Sequence, residues 1–110
     1  MYYVYMLLCQ GDSLYTGITA DLRHRMRQHT GQLKGGAKYT ALHPPKALAA
    51  VWTVADKSTA ARMEAAIKGL SAAQKRQLTA QPALLTELLP RAAELTPQYC
   101  LDLTLEEILA

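Results

Sequence analysis

At 110 residues the chain has room for one domain with a modest core. Half the residues are apolar and 19% are charged, which excludes a disordered polypeptide. Its only two cysteines, Cys9 and Cys100, form no CxxC pair; that fits a reduced, cytoplasmic protein with two structural thiols better than a disulfide scaffold or a zinc site. The net charge of +3 is unevenly spread. Residues 1–80 hold eleven lysines and arginines against four acids, a net of +7, whereas residues 81–110 hold Arg91 against five acids, a net of −4. A basic body suits a polyanionic partner such as nucleic acid, with solubility as the plainer explanation.

The opening run MYYVYMLLC is nine residues long. It is too short for a membrane helix and lacks the basic leader of a signal peptide, so it reads as a buried strand over residues 2–9. QGD supplies turn chemistry and LYTGI resumes strand character, predicting a β-hairpin. Thr19 is placed to cap a helix from about residue 20 to 29 or 30. TGQLKGGAKYTALHPP reads as a long loop. Residues 47–55 form a third strand. A helix then starts at Asp56 or Ser58, runs to about residue 68, and stops at Gly69. Ser71 and Gln74 form a capping box for a helix over 72–80. The tail carries helical patterns over about 83–95 and 104–110, separated by TPQYC. The expected class is α+β, a small, mainly antiparallel three-stranded sheet flanked by helices, with a unit over 1–80 and an acidic helical extension over 81–110.

Two helices carry polar residues on the face that should be apolar. Leu22, Arg25, Met26 and His29 fall at i, i+3, i+4 and i+7, while Arg23, His24 and Arg27 point elsewhere. Arg25 has a local explanation in an Asp21–Arg25 pair, and His29 in a contact with free helix-end carbonyls. On the later helix Ala60, Met63, Glu64 and Ile67 share a face. Spacing alone leaves Glu64 equally suited to a salt bridge with Arg25 or to a metal ion. Misplaced charges of opposite sign on two helices nevertheless imply one shared polar cleft. Tyr5 and Tyr15 share a sheet face if Cys9 pairs with Ser13 across a three-residue loop, and lie on opposite faces if Cys9 pairs with Leu14. The three-residue loop is the expectation; ordinary cross-strand packing would also explain the tyrosines.

Taken together, these residues resemble the GIY-YIG nuclease superfamily, and within it the small bacterial single-domain branch. YVY (3–5) stands for the first signature element and YTG (15–17) for the second. Arg25 stands at the place of the catalytic arginine, His29 follows four residues on, and Glu64 in RMEAAIKGLS matches the metal-binding glutamate. GAKYT (36–40) is similar to the loop before the third strand of that branch, although Ala41, Leu42 and His43 stand where arginines are common. The resemblance spans about residues 2–78.

The resemblance implies a phosphodiester-cleaving endonuclease using one Mg²⁺ or Mn²⁺ ion held by Glu64. Tyr5 would help take the proton from the attacking water, assisted by Tyr15, His29 or Lys38, with nearby positive charge lowering its pKa. Arg25 would stabilise charge on the phosphoryl oxygens. Lys34, Lys38, Tyr39, Thr40 and Lys46 would contact a DNA substrate. Selectivity for branched, nicked or single-stranded DNA, and a role in repair or recombination, rest on family analogy alone. Two other readings stand beside this one. The chain could be a nucleic-acid-binding module without cleavage, or an interaction domain using the acidic tail as a protein-binding surface.

Overall fold

An opening strand that is apolar on both faces has to be covered twice, and the fold is built around that requirement. In the computed structural model, which describes residues 1–110, β1 (Tyr2–Cys9) lies between β2 (Leu14–Thr19) and β3 (Pro45–Val54), antiparallel to both. A fourth strand, β4 (Gln98–Tyr99), pairs with Trp52 and Thr53 of β3, so the order is β2-β1-β3-β4. The sheet therefore has four strands where the sequence predicts three. Two residues are too few to carry a period-2 pattern, and β4 forms by closing the open edge of β3.

The hairpin has the odd loop. Cys9 N donates to Ser13 O at 2.8 Å across Gln10–Gly11–Asp12, and the register pairs Leu7 with Tyr15 and Tyr5 with Gly17. Gly11 (φ 79°) and Asp12 (φ 59°) adopt the left-handed backbone that this turn requires. The period of two then puts Tyr5 and Tyr15 on the same face.

Val4, Met6, Ala50, Trp52 and Val54 pack on one side of the sheet against α3 (Lys57–Lys68), α4 (Ala72–Ala80) and residues 82–95. Tyr5, Leu7, Cys9 and Val51 pack on the other side against α1 (Leu22–His29) and α6 (Leu105–Leu109). Leu85, Ala92 and Leu95 join the first layer and Leu105 joins the second, so the C-terminal thirty residues complete both halves of the core. Burial pushes the Cys9 and Cys100 thiols above their ordinary pKa.

Several element ends differ from expectation for local reasons. Asp21, not Thr19, caps α1: its carboxylate accepts from His24 N at 3.0 Å, while Thr19 stays in β2 and its hydroxyl accepts from Asp21 N. The predicted long loop contains a helical turn, α2 (Lys38–Leu42). The predicted helix over 83–95 is broken by Pro90 into α5 (Leu85–Leu88) and a 3₁₀ segment over Pro90–Leu95, preceded by another 3₁₀ turn over Pro82–Leu84. Asp56 caps α3, Gly69 ends it, and Ser71 and Gln74 form the capping box of α4. No helix is long and apolar enough to cross a membrane.

Candidate active site

The centre of the site is a buried tyrosine made possible by a glycine. Tyr5 is 1% exposed and lies across β2 at Gly17. A Cβ at position 17 would sit 2.5 Å from the Tyr5 hydroxyl oxygen and 2.7 Å from Cζ. Any side chain there would take the space of the phenol. Tyr15 borders the same space, with its ring 6.4 Å from that of Tyr5.

Capped at Asp21, α1 turns its inner face onto the two tyrosines. The His29 ring stands edge-on to both, 5.6 Å from Tyr5 and 5.1 Å from Tyr15. His29 Nε2 and the Tyr5 hydroxyl are 2.6 Å apart, and Nδ1 is 2.9 Å from Thr40 Oγ1. The single Thr40 hydroxyl hydrogen goes to Ala37 O at 3.1 Å. With that hydrogen committed, His29 takes the Nδ1–H tautomer, donates to Thr40 and accepts the Tyr5 O–H at Nε2. Burial, reinforced by the Arg25 charge, pushes the His29 pKa down to about 4, so the imidazole is neutral at neutral pH. The expected contact between His29 and free helix-end carbonyls is not made; the ring instead links β1 to α2.

Tyr5 departs from the expectation of a lowered pKa. Burial holds it well above the ordinary tyrosine value, with Tyr15 and the Glu64 carboxylate pushing the same way. Arg25 pulls in the opposite direction through hydrogen bonding and charge, and loses to desolvation. Tyr5 is therefore a phenol that keeps its proton and points it at His29.

Arg25 makes neither of the ion pairs that spacing suggested. Asp21 is occupied as the cap, and Glu64 pairs with Lys68 on its own helix, Nζ to Oε2 3.3 Å. The Arg25 guanidinium instead donates to two neutral acceptors, Gln28 Oε1 at 2.8 Å and Gly35 O at 2.9 Å. Its charge is left uncompensated beside Tyr5 and His29. Gln28 also donates to Lys34 O at 3.1 Å, so one amide fixes both the arginine and the start of the loop. Gly36 packs against the Gln28 carbonyl so closely that a Cβ would come within 2.5 Å of it. Neither Gln28 nor Ala37 is singled out by the sequence reading. Gln28 could have been, since it stands three residues after Arg25 on one helix face.

The loop residues are placed as follows. Lys34 and Lys38 are exposed. Tyr39 stacks on Tyr15 at 5.8 Å and on His43 at 4.5 Å. Thr40 is 2% exposed and serves as the partner of His29. Lys46 lies at the hairpin turn, 3.0 Å from Asp12 Oδ1. Of the outward arginines, Arg23 is exposed and donates to Ala110 O at 2.6 Å. Arg27 is half-buried, with its Nε enclosed and unpartnered, rather than fully solvated.

Glu64 sits apart from its buried neighbours Ala60, Met63 and Ile67, with its side chain 23% exposed. No group of three His, Cys, Asp or Glu side chains gathers anywhere in the chain. A single accessible carboxylate, opposed only by a solvent-exposed lysine, fits a hard cation that keeps most of its shell for water and phosphate oxygens. It does not fit zinc, which takes three or four protein ligands, mostly histidine and cysteine.

Residues 1–77 match the family model described as the GIY-YIG catalytic domain. The chain is 45% identical over 78 residues to a UPF0213 protein of Neisseria meningitidis serogroup C, covering 71% of this chain and 84% of that protein. It is 40% identical over 97 residues to a UPF0213 protein of Xanthomonas axonopodis pv. citri, covering 86% and 92%. The solution NMR structure of a UPF0213 protein from Bacillus halodurans aligns with a TM-score of 0.47 at 33% identity, over 81% of this chain and 97% of that one.

Proposed function

The chain belongs to the GIY-YIG family, a nuclease superfamily whose members generally use a divalent metal ion, and from that premise we propose that it is a metal-dependent endonuclease hydrolysing DNA phosphodiester bonds. The observation that carries this reading is the 2.6 Å hydrogen bond between a buried phenol and a neutral imidazole, beside an arginine with no carboxylate partner. Such a pair moves a proton without ionising the tyrosine in the resting state. Attacking water donates to the Tyr5 oxygen while the Tyr5 proton passes to His29 Nε2. Thr40 and Ala37 O hold the ring in the orientation that receives it. A phenolate, with the raised pKa of Tyr5, would be a poor resting species. The relay avoids it.

Arg25 supplies the electrostatic half of the reaction. Gln28 and Gly35 fix the guanidinium, and its charge is free to meet the phosphoryl oxygens as negative charge builds on them. Burial is the larger cause of the low His29 pKa, and an arriving phosphate would offset the lesser one, the Arg25 charge, making the imidazole a better base once substrate is bound. Glu64 would hold the Mg²⁺ or Mn²⁺ ion, which when bound polarises the phosphate and stabilises the leaving oxygen. In this reading the exposed Lys34 and Lys38, together with Tyr39 and Lys46, would contact the DNA. The reading extends to branched, nicked or single-stranded DNA as substrate, in repair or recombination in the cytoplasm.

The test is cleavage of end-labelled single-stranded, duplex and forked DNA with Mg²⁺, Mn²⁺ or EDTA, using the unsubstituted chain and Glu64→Ala. Metal-dependent products from the unsubstituted chain are expected. None should come from Glu64→Ala, which still binds DNA at low salt. Metal-dependent cleavage persisting in Glu64→Ala would overturn the assignment of the carboxylate. Binding without cleavage on every substrate would leave a nucleic-acid-binding module.

A further inference from the structure

A second, open groove of about 240 Å³ lies beside the cleft, between the β1–β2 turn, Tyr39 of α2 and the first turns of α4. Lys75 and Arg76 form one wall, Tyr39 another, and Asp12 stands at the turn. Asp12 is already matched by Lys46 at 3.0 Å, and neither Lys75 nor Arg76 makes an ion pair. The two α4 cations are therefore free to take an anion. Tyr39 connects this groove to the site. Its ring stacks at 23° on Tyr15, which touches the space of Tyr5, and at 21° on His43. The stacked rings thus link the cleft to the groove through Tyr39.

An aromatic wall facing two unpaired cations forms a groove suited to a single nucleic-acid strand, whose phosphate meets the cations while its sugar packs beside the ring. Resting on the nuclease reading, we propose that this groove holds the nucleotide adjacent to the scissile phosphate, with Lys75 and Arg76 as ligands of its phosphate and Tyr39 as the wall beside its sugar. The small groove suits one nucleotide of an unpaired strand. Substrate contacts therefore extend past the family-matched loop onto α4, a helix whose sequence shows only ordinary surface charge.

The test is binding of a fluorescein-labelled single-stranded 15-mer, by anisotropy in EDTA so that cleavage does not intervene, across about 50–200 mM salt. Four chains are compared: unsubstituted, Lys75→Ala/Arg76→Ala, Lys75→Arg/Arg76→Lys, and Arg62→Ala/Arg91→Ala, which removes the same charge around a separate pocket between α3 and the tail. The α4 pair is expected to weaken binding about tenfold at the lowest salt and to flatten the log–log salt slope by about 1.4, the value for two lost contacts on a single strand. The Arg62/Arg91 pair should change either quantity far less, and Lys75→Arg/Arg76→Lys should retain near-native binding. Matching melting curves confirm that all variants are folded. An α4 pair indistinguishable from the unsubstituted chain, or equal losses in both Ala pairs, would overturn the groove and leave the nuclease reading standing. An unsubstituted chain that binds no oligonucleotide at about 50 mM salt would overturn both.

Discussion

Two residues carry most of what is distinctive about the site, and each supports a prediction. Gly17 leaves the volume that the Tyr5 hydroxyl occupies, with a Cβ position 2.5 Å from that oxygen. Gly17→Ala should displace the phenol, cost about 1–3 kcal/mol in urea or thermal unfolding, and lower cleavage at least tenfold. His29 gives a pH signature. Its folded pKa of about 4 lies below its ordinary value of 6.5, so the unfolded chain binds the proton more tightly. Stability from this residue is complete above about pH 6.5 and is lost as pH falls toward 4, by about 3 kcal/mol in total. Comparing unfolding free energies of the unsubstituted chain and His29→Gln between pH 4 and 7 should show the gap between them narrowing on acidification.

At the level of elements, α1 carries Arg25 and His29 of the proposed site. Its eight residues are too few to be a stable helix alone, so its cap and its packing both count. Asp21→Ala should cost about 1 kcal/mol. It should also reduce cleavage more than DNA binding, because Arg25 and His29 share the helix that Asp21 anchors. The same helix explains what could be read in advance. Leu22, Met26 and His29 are buried as the 3.6-residue period requires, and Arg25 sits half-buried at the rim. What periodicity could not supply is the partner of each group. Asp21 and Glu64 were the near carboxylates in sequence, yet one caps the helix and the other pairs with Lys68. Gln28 and a carbonyl of the loop hold the arginine instead. The loop was legible as long and glycine-rich, but its helical turn was not. Five residues carry too little pattern, and α2 is held in place by the contacts of Thr40 and Tyr39.

At the scale of the whole molecule, the acidic tail is part of the core. Leu85 packs beneath α3 and α4 on one face of the sheet, and Leu105 packs against α1 on the other. Leu85→Ala and Leu105→Ala should each lower one cooperative unfolding transition by about 2–4 kcal/mol. On opposite faces, their effects should add in the double variant. A first transition that ignores both changes would show the tail folding apart from the rest. The family match ends at residue 77. We accordingly propose that residues 1–80 carry the chemistry, and that the acidic extension over 81–110 stabilises the sheet while leaving charge available to a protein partner.

The sequence by itself determined the order of the main elements, the antiparallel sheet, the buried first strand and the one-sided apolar stripes of α1 and α3. These follow from short-range periodicity and capping, which act within a few residues. It also picked out Arg25, His29 and Glu64 as polar groups needing an explanation, and the family resemblance added Tyr5 and Tyr15. Tertiary structure decided the rest. The tautomer and low pKa of His29, the raised pKa of Tyr5 and the freedom of Arg25 depend on which groups are brought within 3 Å and how much water is excluded. Desolvation outweighed a neighbouring positive charge at Tyr5. No spacing along the chain reveals the balance between those two terms, because both depend on what the folded protein places around the hydroxyl.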